Sequence, residues 1–431
     1  MTPFRNAYVI PELRDAARLA ACCDAGQERQ RSIGDGGGGN SGFCVSDQMM
    51  RAAGLWDRAQ STVRAFQNFL VLICWRKEIV VSKSLSAVGD AGQLVDWWFI
   101  YKVPKDARPS SKSNAQVARA TGYEYAYCDN HAHALAASAH KLNDPVNALH
   151  STLQTLSGGD RKSFGCLFYN DEYPLELHKS NNGDRGHCKG VLAFDTVSDS
   201  GIWLLHSTPR FPYLPKPDFP SDELDYGQTF ICITLKDVKT AESIATQMIS
   251  QQGPQAYGAE LPSSLGTSSV WHELAAGRFT LSKDPSDVTF LSKGGSHFRS
   301  IAKSRLWGQD LWSDLVGDAL KADLDVESWR RGAIPGKEDS DKHHDIIDAA
   351  TIDFQALGIP FEWPETKDHA KMATSMKGEG DWVCVADINR QVSQAKRGGG
   401  AICFQHPRLW AGLAAADRVV PGKVKKVEAR R

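Results

Sequence analysis

The chain has 431 residues, 42% hydrophobic and 23% charged, with a formal net charge of -1 and 13 histidines. That composition supplies apolar material for two cores or one large composite domain, and it excludes polyanion binding through a globally basic surface. Below about pH 5.5 most exposed imidazoles would carry charge, so attraction to a polyanion would rise with acidity. The ten cysteines include no C-x-x-C pair. Cys128, Cys166, Cys232, Cys384 and Cys403 sit in apolar or strand-like surroundings and read as buried free thiols. No segment reaches the roughly 20 apolar residues of a membrane span. The closest, Phe66 to Trp75, stops at Arg76-Lys77-Glu78 and reads as a buried or amphipathic helix. As the apolar part of a signal peptide it begins far from Met1.

In chain order, residues 1–86 are an extension of unknown role and a candidate for partial disorder. They contain helix-like stretches, Pro11 to Ala21 and Met49 to Ala65, around the flexible run Gly36 to Gly39. From Gly92 onward the texture is α/β. Val95 to Val103, Cys166 to Tyr169, Gly190 to Phe194, Ile202 to His206 and Thr229 to Leu235 are apolar runs of strand length. Pro145 to Leu156 and Val238 to Gln251 read as helices. Further on, Phe298 to Lys303 fits strand or helix, Asp310 to Leu324 reads as a helix, and Asp381 to Ala386 and Ala401 to Gln405 read as strands. Residues 87–245 and 246–420 are expected to form two halves, followed by a charged tail over 421–431.

Each half carries one His-x-Lys motif, His187-Cys188-Lys189 and His369-Ala370-Lys371. In the first half a strand with Trp203 follows, and Arg210 lies seven residues beyond it. In the second a strand with Trp382 follows, with Asn389 seven residues beyond. Two such units point to a pseudo-two-fold pair with one composite site between them.

Residues i and i+2 of a strand share a face, about 7 Å apart along the backbone, so each motif presents an imidazole and an ammonium together. Two facing pairs would surround one phosphodiester with two cations and two imidazoles. One histidine could attack phosphorus while the other protonates the leaving alkoxide and later activates water. The lysines would neutralise the non-bridging oxygens. The bare motif has little specificity, since about 0.6 chance occurrences are expected at ordinary lysine frequency.

Longer segments are more specific. GDAGQLVDWWFIYKVPK (Gly89 to Lys105), FYNDE (Phe168 to Glu172), RGHCKGVLAFD (Arg185 to Asp195), WLLHSTPRFP (Trp203 to Pro212) and YGQTFIC (Tyr226 to Cys232) resemble the deoxyribonuclease II family. So, in the same order, do FRSIAKS (Phe298 to Ser304), DHAK (Asp368 to Lys371), WVCVADINR (Trp382 to Arg390) and RGGGAIC (Arg397 to Cys403). The resemblance covers about residues 87–415 and extends to the phospholipase D superfamily, with its two His-x-Lys motifs.

The resemblance implies an α+β layered fold, a phospholipase D-like pseudo-two-fold pair of mixed-sheet domains with one composite active site. It implies endonucleolytic hydrolysis of DNA, double-stranded DNA in particular, at acid pH. No metal or other cofactor would be needed, and the products would carry 3′-phosphate and 5′-hydroxyl ends. By position His369 would be the nucleophile and His187 the general acid/base, with Lys189 and Lys371 on the phosphate. Asn389 would be the accompanying polar residue, with Arg210 standing where a second asparagine is expected. His206 and His297 are further substrate-binding candidates. The resemblance suggests secretion or an acidic compartment and leaves the oligomeric state open, a dimer included. Cysteines of animal members are replaced by Ala87, Leu224 and Ala373, which implies a lineage that does not depend on disulfides.

The residues leave two other functions open, a phospholipase D-like phosphodiesterase acting on a non-DNA ester and a catalytically weakened nucleic-acid-binding homologue. His131, His133, His343 and His344 read as surface histidines. Trp97 and Trp98 read as sheet packing, and Gly398-Gly399-Gly400 as a tight turn.

Overall fold

The computed structural model describes residues 84–113, 117–157, 159–160, 162–330 and 344–419. The expectations for residues 1–83, for His343 and for the tail over 421–431 lie outside these described residues.

The strand β1 (Trp97–Lys102, WWFIYK) is buried at every position. Its continuous apolar run follows from having a core on both sides. Trp97, Phe99 and Tyr101 enter a cluster shared with Phe354, Trp363 and Phe404, whereas Trp98 and Ile100 enter another with Leu149, Leu153 and Phe230. Phe99 is completely buried, which stabilises the fold by roughly 1.5–3 kcal/mol relative to exposure.

Four further strands complete the first ladder: β2 (Phe164–Tyr169), β3 (Gly190–Asp195), β4 (Ser200–His206) and β5 (Gln228–Leu235). They lie in the order β2-β3-β4-β5-β1 and every pairing is antiparallel. Ala256–Glu260 extends this sheet beyond β2, and Tyr125–Asp129 and Ala136–Ala137 extend it beyond β1.

The second sheet is built around β6 (His297–Lys303), β7 (Leu324–Ser328), β8 (Lys371–Ser375), β9 (Trp382–Ala386) and β10 (Gly399–Gln405). Their order is β7-β8-β9-β10-β6, again antiparallel throughout. The ladder therefore repeats the first one strand for strand. One parallel pairing, between β7 and Ile346–Asp353, makes the second sheet mixed. The sheets share the largest core, where the Trp97 ring lies 5.2 Å from Phe404. Separate cores lie on their other sides, the one on the second sheet containing Trp312, Val316 and Leu320. Layers of helix and sheet around these cores give the expected α+β architecture.

Several expectations change. The helix expected over Asp310 to Leu324 is shorter: a π-helical turn at Trp312–Val316 runs into Gly317–Leu320, and Leu324 already opens β7. The Asp310 carboxylate starts the turn by accepting from the backbone N–H groups of Trp312 and Ser313. Lys321, at φ 55°, ends it. Phe298 to Lys303 is strand. Cys384 and Cys403 are not free thiols: they sit opposite each other across β9 and β10 and form a disulfide. The implied independence from disulfides is corrected accordingly. Cys128, Cys166 and Cys232 are buried free thiols, as is Cys188. Among the described residues no helix is long and apolar enough to cross a membrane.

Candidate active site

Both His-x-Lys motifs stand at strand entrances rather than inside strands. His187-Cys188-Lys189 immediately precedes β3, and Lys371 is the first residue of β8. Their middle residues, Cys188 and Ala370, are completely buried in the core shared by the sheets. Alternation therefore turns each imidazole and ammonium away from that core.

The backbone at each histidine is anchored to the other ladder. His187 N–H donates to Gly398 O at 2.8 Å, and His369 N–H donates to Gly227 O at 2.9 Å. Both acceptors are glycines under crowding. A Cβ on Gly398 would collide with Gln252 O, and one on Gly227 with the Asp368 carboxylate. Asp368 is itself held by the Tyr101 hydroxyl at 2.8 Å, Trp363 Nε1 at 2.6 Å and Ala370 N–H at 2.7 Å.

Around His187 the partners are polar. Nδ1 lies 2.7 Å from Gln394 Oε1, so Nδ1–H donates to the amide and Nε2 is the nitrogen left for proton transfer. Nε2 is 3.5 Å from Asp171 Oδ2. Asp171 also pairs with Lys189 Nζ, and Arg397 donates to it at 3.3 Å. Burial alone would raise the Asp171 carboxyl, but Lys189, His187 and Arg397 together hold it well below the usual carboxylate range. Burial, then Lys189, push His187 well below the ordinary imidazole value, against the opposing pull of Asp171.

Around His369 the neighbours are aromatic. Tyr226 stacks on the imidazole with ring centroids 3.9 Å apart and planes within 11°, and Trp329 lies 4.2 Å away. Lys371 Nζ donates to His369 O at 2.7 Å. Burial, then the charge of Lys189, lower Lys371 to about 7. The charges of Lys189 and Lys371 both act on His187. His187, Lys189 and Lys371 thus interact within one buried cationic region, which Lys371 joins to the His369 backbone. Asp387 borders it, receiving the Lys189 backbone N–H at 3.4 Å, and burial pushes its carboxyl up to about 7.

The remaining candidates are placed differently. His206 is completely buried, with its ring 5.5 Å from Phe211 and 5.7 Å from Phe230. Burial, then Lys189, push it down to about 3, so it is neutral near pH 5. Asn389 is buried, and its side-chain oxygen has no hydrogen-bond partner among the described residues. The Arg210 guanidinium is engaged by Glu223 and by Asp222 at 3.3 Å. His297 is exposed at the first position of β6.

Sequence reasoning missed Asp171, Tyr226, Trp329, Gln394 and Arg397 as members of this site. Asp171 lies in FYNDE and Arg397 opens RGGGAIC, so both stand in noted segments. No local spacing connects them, because Gln394 is 207 residues from His187 and Asp171 is 226 from Arg397. Among the described residues no group of three His, Cys, Asp or Glu side chains is placed to hold a metal ion. The arrangement can hold an anionic group between ammonium and guanidinium groups, with imidazole nitrogens available for nucleophilic attack and proton transfer.

The Deoxyribonuclease II family profile matches residues 86–420. A Burkholderia pseudomallei protein provisionally named deoxyribonuclease-2 is 43% identical over 346 residues, covering 78% of this chain and 94% of that protein. The Caenorhabditis elegans deoxyribonuclease-2 is 33% identical, covering 76% of this chain and 91% of its own length. The pig deoxyribonuclease-2-alpha is 31% identical, covering 76% and 87%. On the extent of that match and the identity of these relatives, the chain belongs to the deoxyribonuclease II family.

Proposed function

We propose that this protein is an acid-type endodeoxyribonuclease that cleaves duplex DNA without a divalent metal, through a phosphohistidine intermediate. The observation that carries the reading is the pair of buried ammonium groups, Lys189 and Lys371, with Lys189 acting on Lys371 and both acting on His187. Burying like charges together is costly unless an anion joins them. Asp171 supplies one anion to this region, and a phosphodiester would supply another. The substrate class comes from the relatives, which are named as deoxyribonucleases.

In the proposed reaction a nitrogen of His369 attacks phosphorus in line. The bond from phosphorus to O5′ breaks, and O5′ takes a proton from His187 Nε2 to leave as a 5′-hydroxyl. Water then loses a proton to His187 and attacks the phosphohistidine, breaking the P–N bond and leaving a 3′-phosphate. Tyr226 and Trp329 pack around the His369 ring, while Gln394 fixes the tautomer of His187. Lys189 and Lys371 neutralise the non-bridging oxygens.

The test is plasmid cleavage in excess EDTA across pH 4 to 8, with end-group analysis of the products. Cleavage persisting in chelator and yielding 3′-phosphate ends supports the reading. Complete loss restored by magnesium overturns the metal-free mechanism. Intact plasmid alongside cleavage of a small diester such as bis(p-nitrophenyl) phosphate would point to a phosphodiesterase with another substrate.

A further inference from the structure

Two lysines outside the His-x-Lys motifs occupy matching places in the two ladders. Lys102 is the last residue of β1 and Lys303 the last residue of β6. Lys102 pairs in register with Gln228, the first residue of β5, and Lys303 with Gly399, the first residue of β10. Both side chains are completely buried. Each ammonium donates to backbone carbonyls of the loop that enters the neighbouring strand, and Lys102 also to the carbonyl of Val103 beside it. Lys102 Nζ donates to Val103 O at 3.0 Å, Leu224 O at 2.9 Å and Tyr226 O at 2.7 Å. Lys303 Nζ donates to Gln394 O at 3.2 Å, Ala395 O at 2.9 Å and Arg397 O at 2.8 Å.

What those loops hold lies across the molecule. The loop pinned by Lys102 carries Tyr226, which stacks on His369, and Gly227, which accepts from His369 N–H. The loop pinned by Lys303 carries Gln394, which binds the His187 ring, Arg397, which binds Asp171, and Gly398, which accepts from His187 N–H. We propose that Lys102 and Lys303 are a matched pair of positioning residues, each fixing from its own ladder the loop that orients the histidine of the other. The inference rests on reading His187 and His369 as the reacting pair.

Charge is the physical reason for lysine at these positions. Three carbonyls converging on one point repel one another and would be left unsatisfied inside the protein, and only a cation with three donors answers all of them. The site tolerates a large burial cost to keep it: burial lowers Lys102 to about 7 and Lys303 to about 8. A lysine serving only local stability would disturb whatever is nearest. A positioning lysine must disturb one particular imidazole, the one in the opposite ladder.

That crossing is what the experiment reads. Lys102→Met and Lys303→Met are made in the full chain, and the two imidazoles are followed by side-chain NMR titration alongside steady-state kinetics. Lys303→Met is expected to move the His187 titration and leave that of His369 in place, and Lys102→Met to do the reverse. Each variant is expected to lose about 100-fold in kcat with a much smaller change in KM, the size of loss that a misplaced catalytic group produces. Folded variants in which neither imidazole moves, or in which both move together, would overturn the proposal. Should the methionine variants not fold, Lys303→Arg and Lys102→Arg keep the buried cation while shifting its donors away from the loop carbonyls. They are expected to give the same crossed pattern, and a pattern that does not cross would again overturn it. Alanine variants of His187 and His369 separate this question from the mechanism: if they remain active, the catalytic reading fails, while the NMR still decides whether the lysines orient these rings.

Discussion

His187 and His369 enter the structure by the same device and end in opposite surroundings. Each lies two residues before a lysine at a strand entrance and donates its backbone N–H to a glycine carbonyl of the other ladder. Beyond the backbone, His187 meets an amide, a carboxylate and, through that carboxylate, a guanidinium. His369 is packed by Tyr226 and Trp329. The contrast shows how a duplicated scaffold can divide labour. Matching hydrogen bonds set where the rings are, and unmatched side chains set what each can do. A ring held through Nδ1 beside charged groups suits proton transfer, whereas one stacked on Tyr226 with Trp329 tilted against it suits attack along a fixed line.

The largest expected effect breaks the comparison at its centre. His369→Ala should abolish any covalent phosphoenzyme trapped by acid quench. His187→Ala should slow both formation and decay of that species, at a cost of about 10²–10⁴-fold in rate. If either variant retained more than about a tenth of wild-type activity, the division of roles would be wrong.

The pH profile sharpens the comparison next. His187 is pushed well below the ordinary imidazole value, so the protonated form that the proposed reaction requires accumulates only as the solution becomes acid. Lys371, lowered to about 7, gains its full charge over the same direction of change. Activity near pH 5 should therefore exceed that at pH 7.5, and added salt should suppress it as phosphate contacts are screened. A bell-shaped profile would report interacting groups together and not a single residue. A flat profile or an optimum above pH 7.5 would contradict the assignment.

Asp171→Asn tests the polar side alone. Asp171 is the group that raises His187 against the influence of burial and Lys189. Its neutralisation should lower His187 further and move the optimum to more acid pH, with a loss of about tenfold in rate at pH 5, one pKa unit being a factor of ten. The His369 titration should stay where it is. An optimum shifted toward neutrality would show that Asp171 acts mainly by occupying the phosphate position.

The smallest effect on activity is expected at Arg210. With its guanidinium engaged by Glu223 and Asp222, Arg210→Ala should lose about 1–3 kcal/mol of stability, because it leaves the buried Glu223 carboxylate without its guanidinium. Its kcat and KM on plasmid DNA should stay within about twofold, since little binding energy is at stake. A large rise in KM would instead support Arg210 as a phosphate-holding residue.

The ladder strands were largely legible, because apolar β-branched and aromatic residues concentrate in them. The run Trp97–Lys102 and the strands of the second ladder near Trp382 and Ala401 lie close to their expected places. The strand Ile346–Asp353 was not foreseen. Its sequence, IIDAATID, places acidic residues among apolar ones, and pairing with β7, Phe361–Pro364 and Asp417–Val419 makes it a strand. The disulfide was missed for a related reason: Cys384 and Cys403 become neighbours only through the register of β9 on β10.

By itself the sequence determined the α+β texture, the resemblance, and the two His-x-Lys motifs, because these are written in local period and residue type. Tertiary structure alone decided what surrounds each histidine. Gln394 reaches His187 across 207 residues, and the loop holding Tyr226 reaches His369 only because Gly227 and Asp368 meet in a parallel bridge. Side-chain chemistry is encoded residue by residue, but burial, charge coupling and ring orientation depend on which distant segments the packing brings within a few ångströms.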